Sequence, residues 1–487
     1  MKAVAKALLS WLFLALVSSP LAWAQFPYPN PIRHVVVIFQ ENRTPDNLFR
    51  GLLTWPGINP ANYDIATFGT DSKGDIVPLE PVPLGVPYDL DHSHTGFLAM
   101  YDGGRMDGAD KVRCSGQCTQ TNPQFKYVDN SNHILDPYLE LAAEYGWANA
   151  MFQTNQGPSF PAHQFIFGGT SAPSAIDDHL GVFVSENPAA PAGAGYNAGT
   201  DTGCLAPLNQ WNWLIDAGGL QSKLINNPLG TLCFEHDTMA TVLDNRGLSW
   251  KYYAPVSVNP NGANPGGSIW NAPNSIRGIC EPNQNFTVCK GRQWVERVDL
   301  HPADVLTDIR QCGLANVSWV IPDGRNSDHA GSVLTTGGPS WVASIVNSIG
   351  MDQKCEMGAG YWSDTAIVVT WDDWGGWYDH VLPPVPSGVQ GDYQYGFRVP
   401  LIVVSAYTPK AYVNNVRHDF GSVLRFIEGA FGAQEGLLSF ADERASGDLA
   451  GFFNFRQAPR RYEPIAAPLD ADFFIADKRA PLPPDND

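Results

Sequence analysis

The sequence predicts an α/β fold with a mostly parallel central sheet, flanked by helices and interrupted by long loop insertions. Three observations predict it. Short, continuous, β-branched apolar runs recur along the chain. Segments with apolar residues at helical spacing lie between them. Gly-, Pro- and Asn-rich stretches break the alternation without replacing it. Strands that alternate with helices favour parallel pairing, because a parallel neighbour is reached through a crossover that a helix fills well.

The chain opens with a segment that reads as an export signal. Lys2 and Lys6 precede an apolar run from Ala7 to Val17, and Ala22-Trp23-Ala24 supplies a small-x-small cleavage pattern before Gln25. The run is too short for a permanent membrane span, and no later stretch is long and uncharged enough for one. Residues 1–24 are therefore expected to be removed, residues 25–455 to form the working domain, and residues 456–487 to form a Pro-rich, charged tail that lies on the surface or frays. The expected location is secreted or periplasmic.

His34-Val-Val-Val-Ile-Phe39 is apolar on consecutive positions and too short for a typical helix, so it reads as a strand buried on both faces. Val317–Ile321, Ala366–Thr370 and Pro400–Ser405 read the same way, and Leu248–Tyr253 as a more polar strand. Helical spacing runs through Asp136–Tyr145, Thr238–Asn245, Pro339–Ile349 and Ser422–Phe431, the last with Ser422 as its expected N-cap. The stretches 55–90, 186–210 and 255–290 read as insertions.

Composition narrows the function classes. Removing Lys2 and Lys6 from the 30 basic residues leaves 28 against 49 acidic ones, a balance near −21. Such a surface repels nucleic-acid backbones and anionic membranes at long range, although a bound cation can reverse the sign locally for an anionic substrate. The eight cysteines all follow the signal. An even count in an exported chain favours disulfides, and pairing neighbours in sequence (114–118, 204–233, 280–289, 312–355) is the simplest of 105 connectivities. A zinc site at Cys114 and Cys118 is the rival reading, but no second Cys or His pair lies nearby.

In a sheet of this kind ligands bind beyond the carboxyl ends of the strands. Two strands run into acidic or amide groups there: Gln40-Glu41-Asn42-Arg43 and Asp372-Asp373-Trp374-Gly375-Gly376. Adjacent carboxylates before a flexible Gly-Gly suit a hard divalent cation, and Glu41 and Asn42 add two oxygens. Each motif alone is also ordinary turn chemistry; their occurrence together at equivalent strand ends puts the metal and the turn reading on about equal terms. Ser159, set in Gly157-Pro-Ser-Phe-Pro161, is presented by a stiff turn as a nucleophile, although a serine between prolines is commonly just a loop residue. Among the histidines, His92 in Asp91-His92-Ser93-His94 and His329 in Ser327-Asp328-His329 are best placed, against a background in which a lone histidine is more often a capping or surface residue.

Together these segments resemble a bacterial phosphoesterase family, one that includes phosphatidylcholine-type phospholipase C and a secreted acid phosphatase within the alkaline-phosphatase-like superfamily. The stretches that carry the resemblance are His34–Phe49, Gly157–Pro161, Thr370–Pro384, Gly396–Ser405 and Ser422–Glu428, in order, between about residues 32 and 455. The resemblance implies Glu41, Asn42, Asp372 and Asp373 as ligands of a divalent metal ion of unspecified identity. It implies Ser159 as nucleophile, also touching the metal, with His329 and His92 (or His94) contacting the phosphoryl group. The implied substrate is a phosphate-ester small molecule or a phospholipid head group, with no nucleic-acid partner. Three departures stand out. The family places Asn, and often Arg, three and four residues after the nucleophile, where this chain has Ala162 and His163, so a second phosphate donor is lost unless His163 or Gln164 replaces it. The family's paired mid-chain histidines are not evident around Trp270-Asn271. Asp419-Phe420-Gly421 stands where the family has Asp-His-Thr. The alternative in a different class is an exported binding or cell-surface protein on a decayed hydrolase scaffold. Ala162 favours it, and retention of Ser159 and all four proposed ligands opposes it.

Overall fold

The computed structural model describes residues 30–194, 201–255, 268–334, 337–384, 395–433, 436 and 438–482. The proposed signal segment, residues 1–24, lies outside them. The main sheet has eight strands: β1 (His34–Gln40), β2 (Gly146–Ala148), β3 (Trp250–Tyr253), β4 (Val298–Asp299), β5 (Val317–Val320), β6 (Thr365–Trp371), β7 (Leu401–Ser405) and β8 (Tyr412–Asn414). Their order across the sheet is β4-β3-β5-β1-β6-β7-β2-β8.

The five strands from β4 to β6 run parallel. β7 runs antiparallel to both β6 and β2, while β8 is parallel to β2. The expected α/β architecture with a mostly parallel sheet is therefore present. Every residue of β1, β6 and β7 is buried, which is why their sequences read as continuous apolar runs without alternation. That same uniformity conceals strand direction, so the antiparallel insertion of β7 was not visible in its residues.

Helices cover both faces. α1 (Asp136–Glu144), α2 (Ser159–Gly168), α3 (Gly338–Met351) and α4 (Phe420–Phe431) are the ones that matter for the site. Phe39 pairs with Thr370, and Gln40 with Trp371, so Phe39 and Trp371 point to opposite faces. The Phe39 ring meets His163 of α2 at 4.8 Å and Phe420 of α4 at 5.3 Å. The Trp371 ring meets Tyr138 of α1 at 5.2 Å and Phe49 at 5.7 Å. α2 and α4 thus share one face, and α1 lies on the other.

One expectation changes. The N-cap of α4 lies three residues earlier than Ser422, at Asp419, whose carboxylate accepts from the Ser422 amide at 2.8 Å, while the Ser422 hydroxyl accepts from the Asp419 amide at 3.1 Å. A capping box with the acid at the cap satisfies two amides instead of one. Residues 456–482, the described part of the tail, run along the surface and are tied to the domain. The Arg460 carbonyl accepts from Trp362 Nε1, the Ile465 carbonyl accepts from Asn347, and Phe474 packs on Trp341 at 5.2 Å. Apolar anchors spaced among the prolines hold it down.

The cysteines pair as neighbours: Cys114–Cys118, Cys204–Cys233, Cys280–Cys289 and Cys312–Cys355. No helix among the described residues is long and apolar enough to cross a membrane.

Candidate active site

Because β1 and β6 are parallel and in register to their last residues, Gln40 opposite Trp371, the residues that follow each strand emerge side by side. The backbone ties them together. The Asp372 amide donates to the Gln40 carbonyl at 2.8 Å, and the Arg43 amide donates to the Asp373 carbonyl at 3.0 Å. The Asn42 amide donates to Asp372 Oδ1 at 2.9 Å. Asn42 sits at φ 60°, a conformation asparagine tolerates better than most residues. Gly375 is needed opposite it: a Cβ there would lie 2.4 Å from the Asn42 carbonyl oxygen. The Gly-Gly after the acidic pair is therefore close packing between two strand-end loops, and not only a flexible turn.

Ser159 is the first residue of α2. Its hydroxyl lies 3.4 Å from Glu41 Oε2 and 3.4 Å from Asp373 Oδ2. The loop that presents it is braced by Gln153 and Asn155, both of which donate to the Gly157 carbonyl, at 3.0 and 2.9 Å. Gln153 Oε1 also accepts from the Trp374 amide at 3.1 Å, so one side chain joins the nucleophile loop to the acidic loop. Asn187, from the 186–210 insertion, accepts from the Phe160 amide at 2.9 Å. The start of a helix carries unsatisfied amides and partial positive charge, a favourable place for a phosphoryl group.

His92 hydrogen-bonds through Nδ1 to the Leu90 carbonyl at 2.8 Å and through Nε2 to Asn42 Nδ2 at 3.1 Å. A carbonyl can only accept, so Nδ1 carries the proton and, in the neutral ring, Nε2 accepts from the Asn42 amide. This fixes the Asn42 side chain with its nitrogen toward His92, and leaves its oxygen, fully buried, with no hydrogen-bond partner among the described residues. The ring of His329 lies 6.0 Å from that of His92, with Nδ1 donating to the Ala330 carbonyl at 2.7 Å. Arg43 positions this segment: its guanidinium donates to the Asp328 carbonyl from Nε at 2.9 Å and Nη2 at 2.6 Å. Asp328, at φ 66°, is held in turn by the Tyr138 hydroxyl at 2.7 Å. The third residue of Glu-Asn-Arg is thus a positioning residue for His329. His94 is set back from this group. It contacts the Gln156 carbonyl at 3.2 Å and stacks on Phe97, bracing the nucleophile loop from behind.

All the residues anticipated from sequence (Glu41, Asn42, Asp372, Asp373, Ser159, His92 and His329) come together at one end of the sheet. His163 joins them. Its Nε2 lies 3.0 Å from Glu41 Oε1 and 3.9 Å from Asp372 Oδ2. The sequence considered this residue only as a stand-in phosphate donor. The missed signal was its spacing: four residues after Ser159 on a helix, it lies on the same face one turn on.

The charge in this cluster is unbalanced. Burial, reinforced by Asp372 and Asp373, holds the Glu41 carboxyl well above the usual range, and burial with Asp372 does the same to Asp373. Burial also raises Asp372, but its hydrogen bond with Glu41 and the nearby imidazole outweigh that and keep it low. Burial pushes His163 down to about 4, so the imidazole is neutral at physiological pH. Three buried carboxylates with no lysine or arginine among them are incompatible with full ionisation unless a cation joins them. The donors suit one. Groups bound to the same ion with bonds of about 2.1 Å lie about 3.0 Å apart at a right angle and up to about 4.2 Å when opposed. The separations here, from 3.0 to 3.9 Å, fall in that range. The orphaned Asn42 oxygen is a further donor.

A family model described as the phosphoesterase family matches residues 32–434. The chain belongs to the phosphoesterase family. It is a hydrolase acting on phosphoester bonds. Phospholipase C A from Mycobacterium tuberculosis (strain CDC 1551 / Oshkosh) is 25% identical over 470 residues, spanning 90% of this chain and 80% of that protein. The non-hemolytic phospholipase C of Pseudomonas aeruginosa is 27% identical over 473 residues, spanning 87% of this chain and 57% of that protein. Among solved structures, a protein in the alkaline phosphatase superfamily from Vibrio parahaemolyticus is similar at a TM-score of 0.35 and 10% identity, covering 86% of this chain and 74% of that one.

Proposed function

We propose that this phosphoesterase is an exported, divalent-metal-dependent enzyme that cleaves a phosphodiester of the phospholipid head-group class through a phosphoserine at Ser159. The observation that carries the reading is the position of the Ser159 hydroxyl, at the start of α2 and 3.4 Å from both Glu41 and Asp373. Glu41, Asn42, Asp372 and Asp373 would hold the metal, which when bound supplies positive charge to the serine oxygen and to a non-bridging phosphate oxygen.

Ser159 Oγ attacks phosphorus, its proton passes to the adjacent carboxylates, and the bond to the leaving alcohol breaks in line. Water then cleaves the phosphoserine and restores the hydroxyl. His329, when protonated, would donate from Nε2 to an equatorial oxygen, where charge accumulates, while His92, whose Nε2 accepts from Asn42, holds that amide in place. Asn42 couples these tasks, because its amide nitrogen fixes His92 while its oxygen faces away from it. The phospholipase C names of the relatives, one of which aligns over 80% of its own length, favour a diester. Four disulfides support an oxidising, secreted or periplasmic location.

The test pairs p-nitrophenylphosphorylcholine with p-nitrophenyl phosphate, before and after chelation and metal add-back. Chelator-sensitive turnover that is faster on the diester is expected, and a reversed ratio would make the protein a phosphatase. Ser159→Ala is expected to lower turnover by about 10³-fold or more; unchanged turnover would remove Ser159 from the role.

A further inference from the structure

The position four residues after the nucleophile carries an imidazole in this chain, and the structure turns that imidazole into the acidic cluster. We infer that His163 Nε2 is itself a ligand of the divalent cation, so that this centre is a mixed carboxylate–imidazole site selecting a transition ion of the zinc or cobalt kind over calcium or magnesium. The inference rests on the metal-dependent reading above.

Three observations carry it. His163 is completely buried, yet its one polar contact shorter than 3.5 Å among the described residues is Glu41, and its Nδ1 has no partner. A histidine retained for structure alone normally has its buried nitrogens satisfied. The ring is also clamped. Phe39 meets it edge-on at 4.8 Å, and Trp270 lies nearly parallel at 6.5 Å. Packing thus holds Nε2 toward the carboxylates, the preorganisation a ligand needs. Finally, Ser159 and His163 leave the same face of α2, so the helix that places the nucleophile places the nitrogen with it.

Adding nitrogen to a set of oxygens changes what the set prefers. Carboxylate and carbonyl donors alone suit calcium, magnesium and manganese, whereas imidazole favours zinc, cobalt, nickel and copper.

The test uses the full-length mature protein, stripped by chelation and dialysed against equimolar Mg²⁺, Ca²⁺, Mn²⁺ and Zn²⁺, with bound metal read by mass spectrometry. The wild type is expected to retain Zn²⁺ in preference to Ca²⁺ and Mg²⁺. H163Q and H163N are expected to lose about 10–100-fold in Zn²⁺ affinity while holding Mg²⁺ or Ca²⁺ about as before. Loading the wild type with Cu²⁺ adds a readout that needs no variant: spin-echo modulation from the remote imidazole nitrogen, expected in the wild type and lost in H163Q. A wild type that binds an ion with no nitrogen modulation, or variants with unchanged Zn²⁺ preference, would overturn this assignment and leave the phosphoesterase reading standing. A wild type that binds no divalent ion would overturn both.

Discussion

Two clusters of acids and histidine leave the same pair of strand ends, and they differ in how their charge is balanced. Glu41, Asp372, Asp373 and His163 form the first. Asp46, Asp379 and His380 form the second, five to eight residues further along the same two segments. In the second, Arg398 stands among the acids. It donates to Asp379 from Nε at 2.9 Å and Nη2 at 3.0 Å, and from Nη2 to Asp46 at 3.3 Å, while His380 Nδ1 meets Asp46 at 2.8 Å. Two carboxylates face a guanidinium and an imidazolium, and the cluster closes on itself. In the first, three carboxylates face a neutral imidazole and no guanidinium. Ligand types are alike in the two, although His380 is partly exposed and His163 is not. What also differs is whether the chain supplies its own cation, and a cluster that lacks one suits a cation from outside.

The largest effect should come from breaking the self-sufficient cluster. Arg398→Met leaves Asp46 and Asp379 buried without their cation and is expected to cost about 3–5 kcal/mol, read as a fall in the urea midpoint. Arg398→Met combined with Asp379→Asn should recover part of that loss. No recovery would mean that the guanidinium acts chiefly through its bonds to the Asp64 and Asn149 carbonyls.

Removing the metal should be a smaller perturbation, and confined to the other cluster. Chelation of protein equilibrated with free metal at about 100 times the dissociation constant should cost about 2.7 kcal/mol of stability, seen as a drop in melting temperature. Asp372→Asn should abolish that chelator response. Asp373→Asn, at the carboxyl that burial and Asp372 hold above its usual range, should abolish the response as well, and that variant should melt no lower than the metal-free wild type.

The smallest effect sharpens the comparison through pH. Burial alone would lower His380, but its hydrogen bond to Asp46, with the charges of Asp46 and Asp379, outweighs burial and the repulsion of Arg398 and raises it to about 9; Asp64 also meets Nε2, at 3.1 Å. A pKa raised in the folded state stabilises fully below the unfolded value near 6.5, and the gain is lost as pH rises through about 9. The loss should be on the order of 2 kcal/mol once screening at its partly open edge is discounted. Urea unfolding of wild type and His380→Gln at pH 6 and pH 9.5 should show the gap between them closing at the higher pH.

The sequence by itself determined buried strands over His34–Phe39 and Ala366–Thr370, the acidic groups beyond their ends, and the serine on its stiff turn. These are local properties: run length, residue type and turn chemistry are written in neighbouring positions. Tertiary structure decided which acids would share a cation. Glu41 and Asp46 look alike in the sequence, as do Asp373 and Asp379. Their fates separate only where Arg398, brought in by the segment that leads into β7, reaches one pair and not the other. Tertiary structure also placed His163 against Glu41 across 122 positions of chain, tied His92 to Asn42, and inserted β7 antiparallel. A charge pair depends on distance through space, and a strand's direction on the path of the chain between elements. Neither is carried by the few residues on either side of a motif.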